Sequence, residues 1–537
     1  MAAWTDKDIC EAADAAEEKR KAIQPEIDQC MVYGMPWRRD PKKGRVRFDQ
    51  LFDSTGPQSV QSFSKRIASA LTPAFQRWIE LKAGPVTPPD MVEAINRQLA
   101  DVTAIILAAI DASNFQIKSE EMYADLSTGT GAMLILEGDD ENPLIFHSVP
   151  PWALGIEEGP SGTIENVYWC RPYEYGKLKR HWPEAKWPKP VLDKIEAAPR
   201  EKVEILQASY FDPADKVFRF HVMVKGEGAD GGRVTVWSRE ERTNPWIVPR
   251  WWTTSGDPWG RGPLMLALAD IKTANKVVEM ILKAAAYSLA PPLMVLHDGV
   301  VNPDTLRLAP NALIKVARTG GPMGASLAPM DIGSRVDLAQ LVLEDLRGNI
   351  RAPMLAKQLP PVTGAVRSPT EIIERLRDFA FEQGSSFGRL NHEYVPKLIA
   401  RVIDVLDRKK IPLIKWDELK IDQLTMKVQV VSPLAQSQSM EDVQSAVRWA
   451  ELVKGLFGEE AFALAIPIED APQNLGDAMG VPNYMRRPKA DRDLLQKAAG
   501  QAAAGQAAAA QAARASAEAV PDAPVQTGQP LRLVAPQ

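Results

Sequence analysis

The stretch RGPLMLALADIKTANKVVEMILKAAAYSLA, residues 261–290, reads as one long helix, and the other segments are organised around it. Pro263 stands just inside its start, where a missing N–H leaves no intrahelical bond unmade, and Pro291-Pro292 forbid its continuation. Leu264, Leu268, Ile271, Val278 and Ile281 with Leu282 recur at helical spacing. Lys272, Lys276, Glu279 and Lys283 form a charged stripe at offsets of 0, 4, 7 and 11. At a rise of about 1.5 Å per residue the helix spans roughly 40 Å. That is long enough for a bilayer, but these four charges and Asp270 would be very costly in lipid. The pattern asks for protein or water as its neighbour.

Downstream, residues 291–333 hold two short apolar runs, 293–296 and 312–316, among many Gly and Pro. Such a segment, without a disulfide, is near the lower limit for a self-sufficient core. Its strand edges are expected to pair with something else, most economically with copies of the same chain around a symmetric assembly. A second helix, 334–351, carries Val336, Ala339, Leu343, Leu346 and Ile350 on one face, so two helices leave for and return from a small excursion. The proline-braced loop PMLAKQLPPVTGAVR, 353–367, follows. Ser368-Pro369-Thr370-Glu371 then starts a helix with Ser at the N-cap, Pro at N1 and Glu at N3. It softens at 384–388 and at Pro396 and ends near Lys410, which predicts a kink. A strand is expected at 425–431 and broken helices over 440–495. The Ala/Gln-rich tail after 496 has almost nothing large and apolar to bury.

Upstream, a charged, Ala-rich helix over 5–32 leads into the basic loop Trp37-Arg38-Arg39-Asp40-Pro41-Lys42-Lys43. That loop is either a solvated turn or a patch for phosphate or a partner. Ser54 or Thr55 with Pro57 starts a helix that presents Val60, Phe63, Ile67 and Leu71, and Pro73 interrupts it. Helices follow at 89–113 and 116–127. Gly129-Thr130-Gly131 comes after a helix and before the strand 133–136, the reverse of a dinucleotide-binding order, and reads as a helix stop. From 144 to 254 short strands prevail (144–149, 164–170, 203–211, 217–224, 234–237 and 246–252) with a helical insert near 191–198, an α+β unit. Five of the 14 tryptophans fall between Trp237 and Trp259 and suit core or subunit-interface packing.

The 537 residues are 45% hydrophobic and 25% charged, enough for several core-forming units. Lys+Arg 64 against Asp+Glu 69 leaves a net charge of -5, which excludes an overall basic field that would grip DNA tightly. Cys10, Cys30 and Cys170 are odd in number and lack metal-ligand spacing, as expected of free thiols in a reducing cytosol. No leader and no spanning apolar run is evident. There is no GxxxxGK[ST] loop, no HExxH helix around His392-Glu393, no G-x-S-x-G elbow and no Cys/His pairing. His147, His181, His221 and His297 are isolated and read as structural imidazoles. No catalytic residue, metal ligand or cofactor is nominated.

Four stretches in order carry a family resemblance: FDSTGPQSVQSFSKRIASALTPAFQRWIEL (52–81), LSTGTGAMLILEGDD (126–140), GDPWGRGPLMLALADIKTANKV (256–277) and VRSPTEIIERLRDF (366–379). With them the chain resembles the head-to-tail connector, or portal, family of short-tailed double-stranded DNA bacteriophages. The resemblance implies an α+β, mainly helical chain in a ring, commonly of twelve subunits. It would have a wing at 1–260, stem helices at 261–290 and 334–351, and a clip at 291–333. A tunnel loop would follow at 352–367, a kinked helix returning to the wing at 368–430, a crown at 431–495 and a tail at 496–537. It implies a virion component at the capsid vertex, assembled in the host cytoplasm, that passes double-stranded DNA and meets a separate ATP-hydrolysing terminase and capsid, scaffolding and tail adaptor proteins, with no membrane. A conduit must avoid deep phosphate wells, because each retained contact adds affinity through counterion release. Lys357, Gln358 and Arg367 on the loop and Lys272, Lys276 and Lys283 on the stem are the candidates for weak DNA contact. The stem lysines also fit a solvated stripe with a Glu279–Lys283 pair, or salt bridges to Asp337, Glu344 or Asp345 of a neighbour. The competing readings are a passive adaptor ring and a DNA-processing enzyme.

Overall fold

The computed structural model describes residues 4–44, 51–74, 77–84, 86–225, 232–289, 293–295, 327–329, 336–356, 388–409, 426–430, 443, 445–458 and 475–476. These fall into two compact units, Met1–Val86 with Leu99–Asp442, and Thr87–Gln98 with Val443–Gln537.

In the larger unit the first helix, α1 (Asp6–Gly34), begins at a capping box. Thr5 N donates to Asp8 Oδ2 at 2.8 Å, and Asp8 N donates back to Thr5 Oγ1 at 3.3 Å, which satisfies two otherwise orphaned amides. Its small residues Ala13 and Ala16, with Ile9, let it lie on a sheet face made by Tyr168, Leu206, Ala208, Tyr210 and Met223. The basic segment after α1 makes two short 3-10 turns, Pro36–Arg38 and Pro41–Lys43. Helices α2 (Thr55–Leu71), α3 (Pro89–Asp111, which starts in the smaller unit) and α4 (Phe115–Leu126) follow, with strand β1 (Ile79–Ala83) between the first two.

Strands β2 (Met133–Glu137) and β3 (Leu144–Ser148) form a hairpin. Next come β4 (Leu154–Glu158), β5 (Ile164–Glu174), the short helices α5 (Leu178–His181) and α6 (Lys189–Ala197), β6 (Lys202–Asp212), β7 (Val217–Lys225) and β8 (Arg233–Glu241). The strands β4 to β8 build an antiparallel five-stranded sheet in chain order, and β9 (Trp246–Ile247) completes a second sheet, β3-β2-β9. The expected strand at 246–252 is therefore short; beyond Ile247 the chain makes single bridges, Thr130 with Arg250 and Trp252 with Arg261. Trp246, Trp251 and Trp259 are buried while Trp252 is 40% exposed, so most of the tryptophan-rich stretch is core.

Helix α7 (Pro263–Leu289) coincides with the long helix expected at 261–290, and α8 (Val336–Arg351) packs on it. Leu343 and Ile350 face inward as the periodicity predicts. Between them β10 (Leu293–Val295) pairs antiparallel with β11 (Leu327–Pro329), so the excursion is pinned at its neck by its own strands. The run 312–316 lies outside the described residues. Helix α9 (Val395–Arg408) follows helical residues 388–393 across a break at Tyr394, the predicted softening. Strand β12 (Met426–Val430) returns to pair with β1, joining residues more than 340 positions apart. In the smaller unit, residues 445–458 are helical, with Val447, Trp449, Leu452, Leu456 and Phe457 exposed.

Candidate functional site at the root of the paired helices

Helix α7 is held at its base by a clasp of glycines. Gly129 adopts φ +116°, and a Cβ there would stand 2.3 Å from the Gly260 carbonyl oxygen; a Cβ on Gly260 would stand 2.1 Å from Gly129 O, and one on Gly262 2.1 Å from Ser127 O. This approach lets Trp251 N donate to Gly129 O at 2.9 Å, Gly260 N to Thr130 Oγ1 at 2.9 Å, and Leu264 N to Ser127 O at 2.9 Å. The last bond satisfies an amide in the first turn of α7, one of the four that a helix cannot satisfy itself. Gly129 does end α4, as its position after a helix suggests. It also anchors a helix more than 130 residues further on, which local sequence could not reveal.

A second clamp sits higher on the pair. Asn275 Oδ1, on α7, accepts from Phe52 N at 2.7 Å and Asp53 N at 3.1 Å. Asp53, buried before α2, accepts from Thr55 N at 2.7 Å and from Arg347 on α8, Nη2 at 2.8 Å and Nε at 3.0 Å. One short segment thus ties both long helices to the base. Burial works against the Asp53 carboxylate, but the Thr55 and Arg347 hydrogen bonds outweigh it and hold its pKa below the ordinary value. Close packing completes the root: Gly34 of α1 lies against Leu264, and Gly56 of α2 against Ile271.

Two buried arginines brace the surroundings. Arg250, 1% exposed, donates to Gly162 O at 2.5 Å and reaches Glu158 at 3.2 Å and Glu393 at 3.4 Å. Arg401 of α9, also 1% exposed, contacts Glu241 at 2.7 Å, Asp404 at 3.2 Å and the Ile135 carbonyl at 3.2 Å, and Arg408 adds a second cation to the same carboxylates. None of these residues stood out in the sequence, because an isolated arginine signals nothing until a distant carboxylate is folded against it.

The three lysines of α7 divide. Lys272 turns toward α1, where its Nζ donates to Gln29 Oε1 and lies 5.8 Å from the Tyr33 ring centroid. Lys276 and Lys283 flank Glu279 at 2.9 and 2.6 Å, an i,i+3 pair and the i,i+4 pair that the spacing allows. Their hydrogen bonds, Lys283 first, hold the Glu279 carboxyl below its usual pKa. Lys357, Gln358 and Arg367 lie outside the described residues, as do Asp337's side chain and residues 366–379.

The basic loop divides: Trp37 and Pro41–Lys43 are exposed, as in a solvated turn, while Arg38 is fixed by acidic partners. Arg38 grips Asp125 through Nε at 2.8 Å and Nη2 at 2.6 Å, with Glu121 at 3.1 Å and Ser148 at 2.6 Å, while Lys42 pairs with Glu204 and Lys43 with Asp28. Burial opposes the Arg38 charge, yet Asp125 and Glu121 outweigh it and raise its pKa above the usual value. Burial also drives His147 down to about 4 and the Cys30 thiol up to about 12, keeping both neutral near pH 7. Among the described residues no group of three or more His, Cys, Asp or Glu is arranged to hold a metal ion. No single described helix is long and apolar enough to cross a membrane; the α3–α4 pair passes only as a unit bent by 79°.

The described geometry is thus a base carrying two helices clamped at two levels, with an excursion between them pinned at its neck. The chain belongs to the bacteriophage head-to-tail connecting protein family, which matches residues 6–486. It is 24% identical over 417 residues to a probable portal protein of Bordetella phage BPP-1, covering 74% of this chain and 73% of that one. It is 19% identical over 372 residues to the portal protein of Escherichia phage T7, covering 66% of each chain, and 20% identical over 311 residues to that of Enterobacteria phage T3, covering 55% of each. Among solved structures, the neck of an empty gene transfer agent particle matches at 13% identity and a TM-score of 0.36, over 81% of this chain and 92% of that one. The virion of a native gene transfer agent particle matches at 14% identity and a TM-score of 0.33, over 76% and 89%.

Proposed function

We propose that the chain is a portal: copies stand side by side in a ring at the capsid vertex, and double-stranded DNA enters and leaves through the central passage. In this reading it is a structural part and not an enzyme. Helices α7 and α8 form the stem, the excursion between them the clip that meets the terminase and tail proteins, and residues 352–367 the tunnel loop. Residues 1–260 and 368–430 make the wing and 431–495 the crown. Family membership and the portal relatives support it.

The observation that carries the proposal is the surface of the paired helices. Leu266, Met280 and Leu282 on α7 and Leu341 on α8 are each more than half exposed, and Val342 is 44% exposed, although α7 is clamped at two levels and buries Leu264, Ala267, Ile271 and Ala274. Exposed apolar side chains on more than one face of a clamped helix call for other protein surfaces, and neighbouring copies supply them to every chain at once only in a closed assembly.

Native mass spectrometry tests this directly. Twelve copies of a 59.1 kDa chain give a species of roughly 0.7 MDa, and electron microscopy down its axis should show a hole wide enough for a duplex. A monomer at working concentration refutes the ring, and a ring with a narrower hole identifies a passive adaptor instead.

A further inference from the structure

We propose that the excursion between β5 and β6 presents a cationic face that binds duplex DNA through its phosphates, a contact separate from the stem lysines. The choice of DNA as the polyanion rests on the portal reading; the existence of the face does not.

From Lys177 to Lys202 the chain has eight lysines and arginines against four acids, in a protein whose totals are 64 against 69. The excursion is firmly mounted. Leu178 is fully buried and Tyr175 and Val191 nearly so, while Tyr175 N donates to Glu201 O at 3.0 Å, Gly176 N to Pro199 O at 2.9 Å and Lys186 N to Val236 O at 2.8 Å. Its charges are therefore displayed on a fixed support.

They are also uncompensated. Lys276 and Lys283 sit on Glu279, Lys42 on Glu204 and Lys21 on Glu18. In the excursion Lys177 has Glu174 at 2.9 Å, but Lys179, Arg180, Lys186, Lys189, Arg200 and Lys202 are exposed with no carboxylate within 4.0 Å among the described residues. Self-repulsion of this kind is unfavourable in the free protein and is relieved by a polyanion.

The surface suits a duplex better than an acidic peptide. None of the excursion's large apolar side chains is among those left exposed, so the buried anchor that a protein interface needs is missing. A duplex needs none, because its closely spaced phosphates are bound through counterion release. His181, Trp182 and Trp187 form a partly exposed row, with ring centroids 5.7 Å apart from His181 to Trp182 and 6.2 Å from Trp182 to Trp187, beside which a sugar-phosphate strand can lie.

The test is fluorescence anisotropy of a labelled 30-base-pair duplex of arbitrary sequence with the full-length assembly, at 50 and 200 mM NaCl. If four phosphates are neutralised, affinity falls about 100-fold over that range. Two independent variants, K179E/R180E/K186E and K189E/R200E/K202E, each weaken binding at least tenfold and flatten the salt dependence. Unchanged binding in both excursion variants overturns the proposal, as does displacement of the duplex by polyglutamate at equal charge concentration, which would mark an acidic-protein dock. The mass of the same samples is read separately: a monomer that still binds through the excursion sinks the portal reading and leaves this contact standing.

Discussion

Substituting alanine for Gly260 tests whether the glycine clasp sets the angle at which α7 leaves the base. The new Cβ would lie 2.1 Å from Gly129 O and 2.8 Å from Gly129 C, and these are backbone atoms that cannot rotate aside. The two segments must part by roughly 1 Å, which breaks or stretches the Trp251–Gly129 and Gly260–Thr130 hydrogen bonds at about 1 kcal/mol each. With the packing lost around Trp251 and Trp259, the total cost is about 2–4 kcal/mol. Gly129→Ala adds strain at φ +116°, about 1–3 kcal/mol more. The chain supplies its own controls. Gly256 also has positive φ, +84°, but nothing lies within 4 Å of its Cβ position, so Gly256→Ala pays for backbone strain alone, about 1 kcal/mol. Gly348, exposed within α8 and equally open, should become more stable as alanine by roughly 0.5–1 kcal/mol. Urea unfolding followed by tryptophan fluorescence, at one fixed protein concentration, should rank the midpoints Gly348→Ala, wild type, Gly256→Ala, Gly260→Ala, Gly129→Ala from highest to lowest. Gly260→Ala unfolding at or above the Gly256→Ala midpoint refutes the clasp.

Arg401→Met should cost about 2–4 kcal/mol, because Glu241 and Asp404 stay buried with Arg408, and for Glu241 also Arg239 at 3.6 Å, left to offset them; adding Glu241→Gln should restore part of it in the same unfolding assay. Asp53→Asn should cost about 1 kcal/mol near neutral pH, a value discounted because Arg347 is 37% exposed. Its folded-state pKa is depressed, so the carboxylate's contribution is present above its unfolded value, about 3.9, and is lost as pH falls through the folded value. The gap between wild type and Asp53→Asn should therefore close below about pH 4 in acid unfolding curves, and a gap that stays constant contradicts the depressed pKa. Deleting 357–367, which spares the buried Met354 and Ala356, should leave assembly mass unchanged while lowering the DNA content of particles; loss of assembly would show that the segment builds the ring itself.

The long helix, its partner α8, four of the five strands of the larger sheet and the interruption near Pro396 are legible because each rests on local rules: helical or alternating periodicity, and proline or glycine at an element's end. Strands β4 and β11 are not, and neither is β1. Its five residues, Ile79–Ala83, follow an apolar helix closely, and their partner is β12, far along the chain. Within the basic loop one residue is set by distant partners. Arg38 is ordinary in isolation and becomes a largely enclosed structural ion only when Asp125 is brought to 2.6 Å. The stem lysines were readable as far as Glu279 is concerned, since an i,i+4 pair needs only the helix, but that Lys272 turns to Gln29 required α1 to lie alongside.

By itself, then, the sequence determined the elements and the family. Periodicity, capping and four ordered motifs suffice for that, and none needs contact between distant residues. What only the tertiary structure decided is how the shaft is fastened: Gly129 against Gly260, and Asp53 between Asn275 and Arg347. Hydrogen bonds and backbone approach depend on ångström distances between segments more than a hundred residues apart, and no pattern along the chain encodes such distances before the chain has folded.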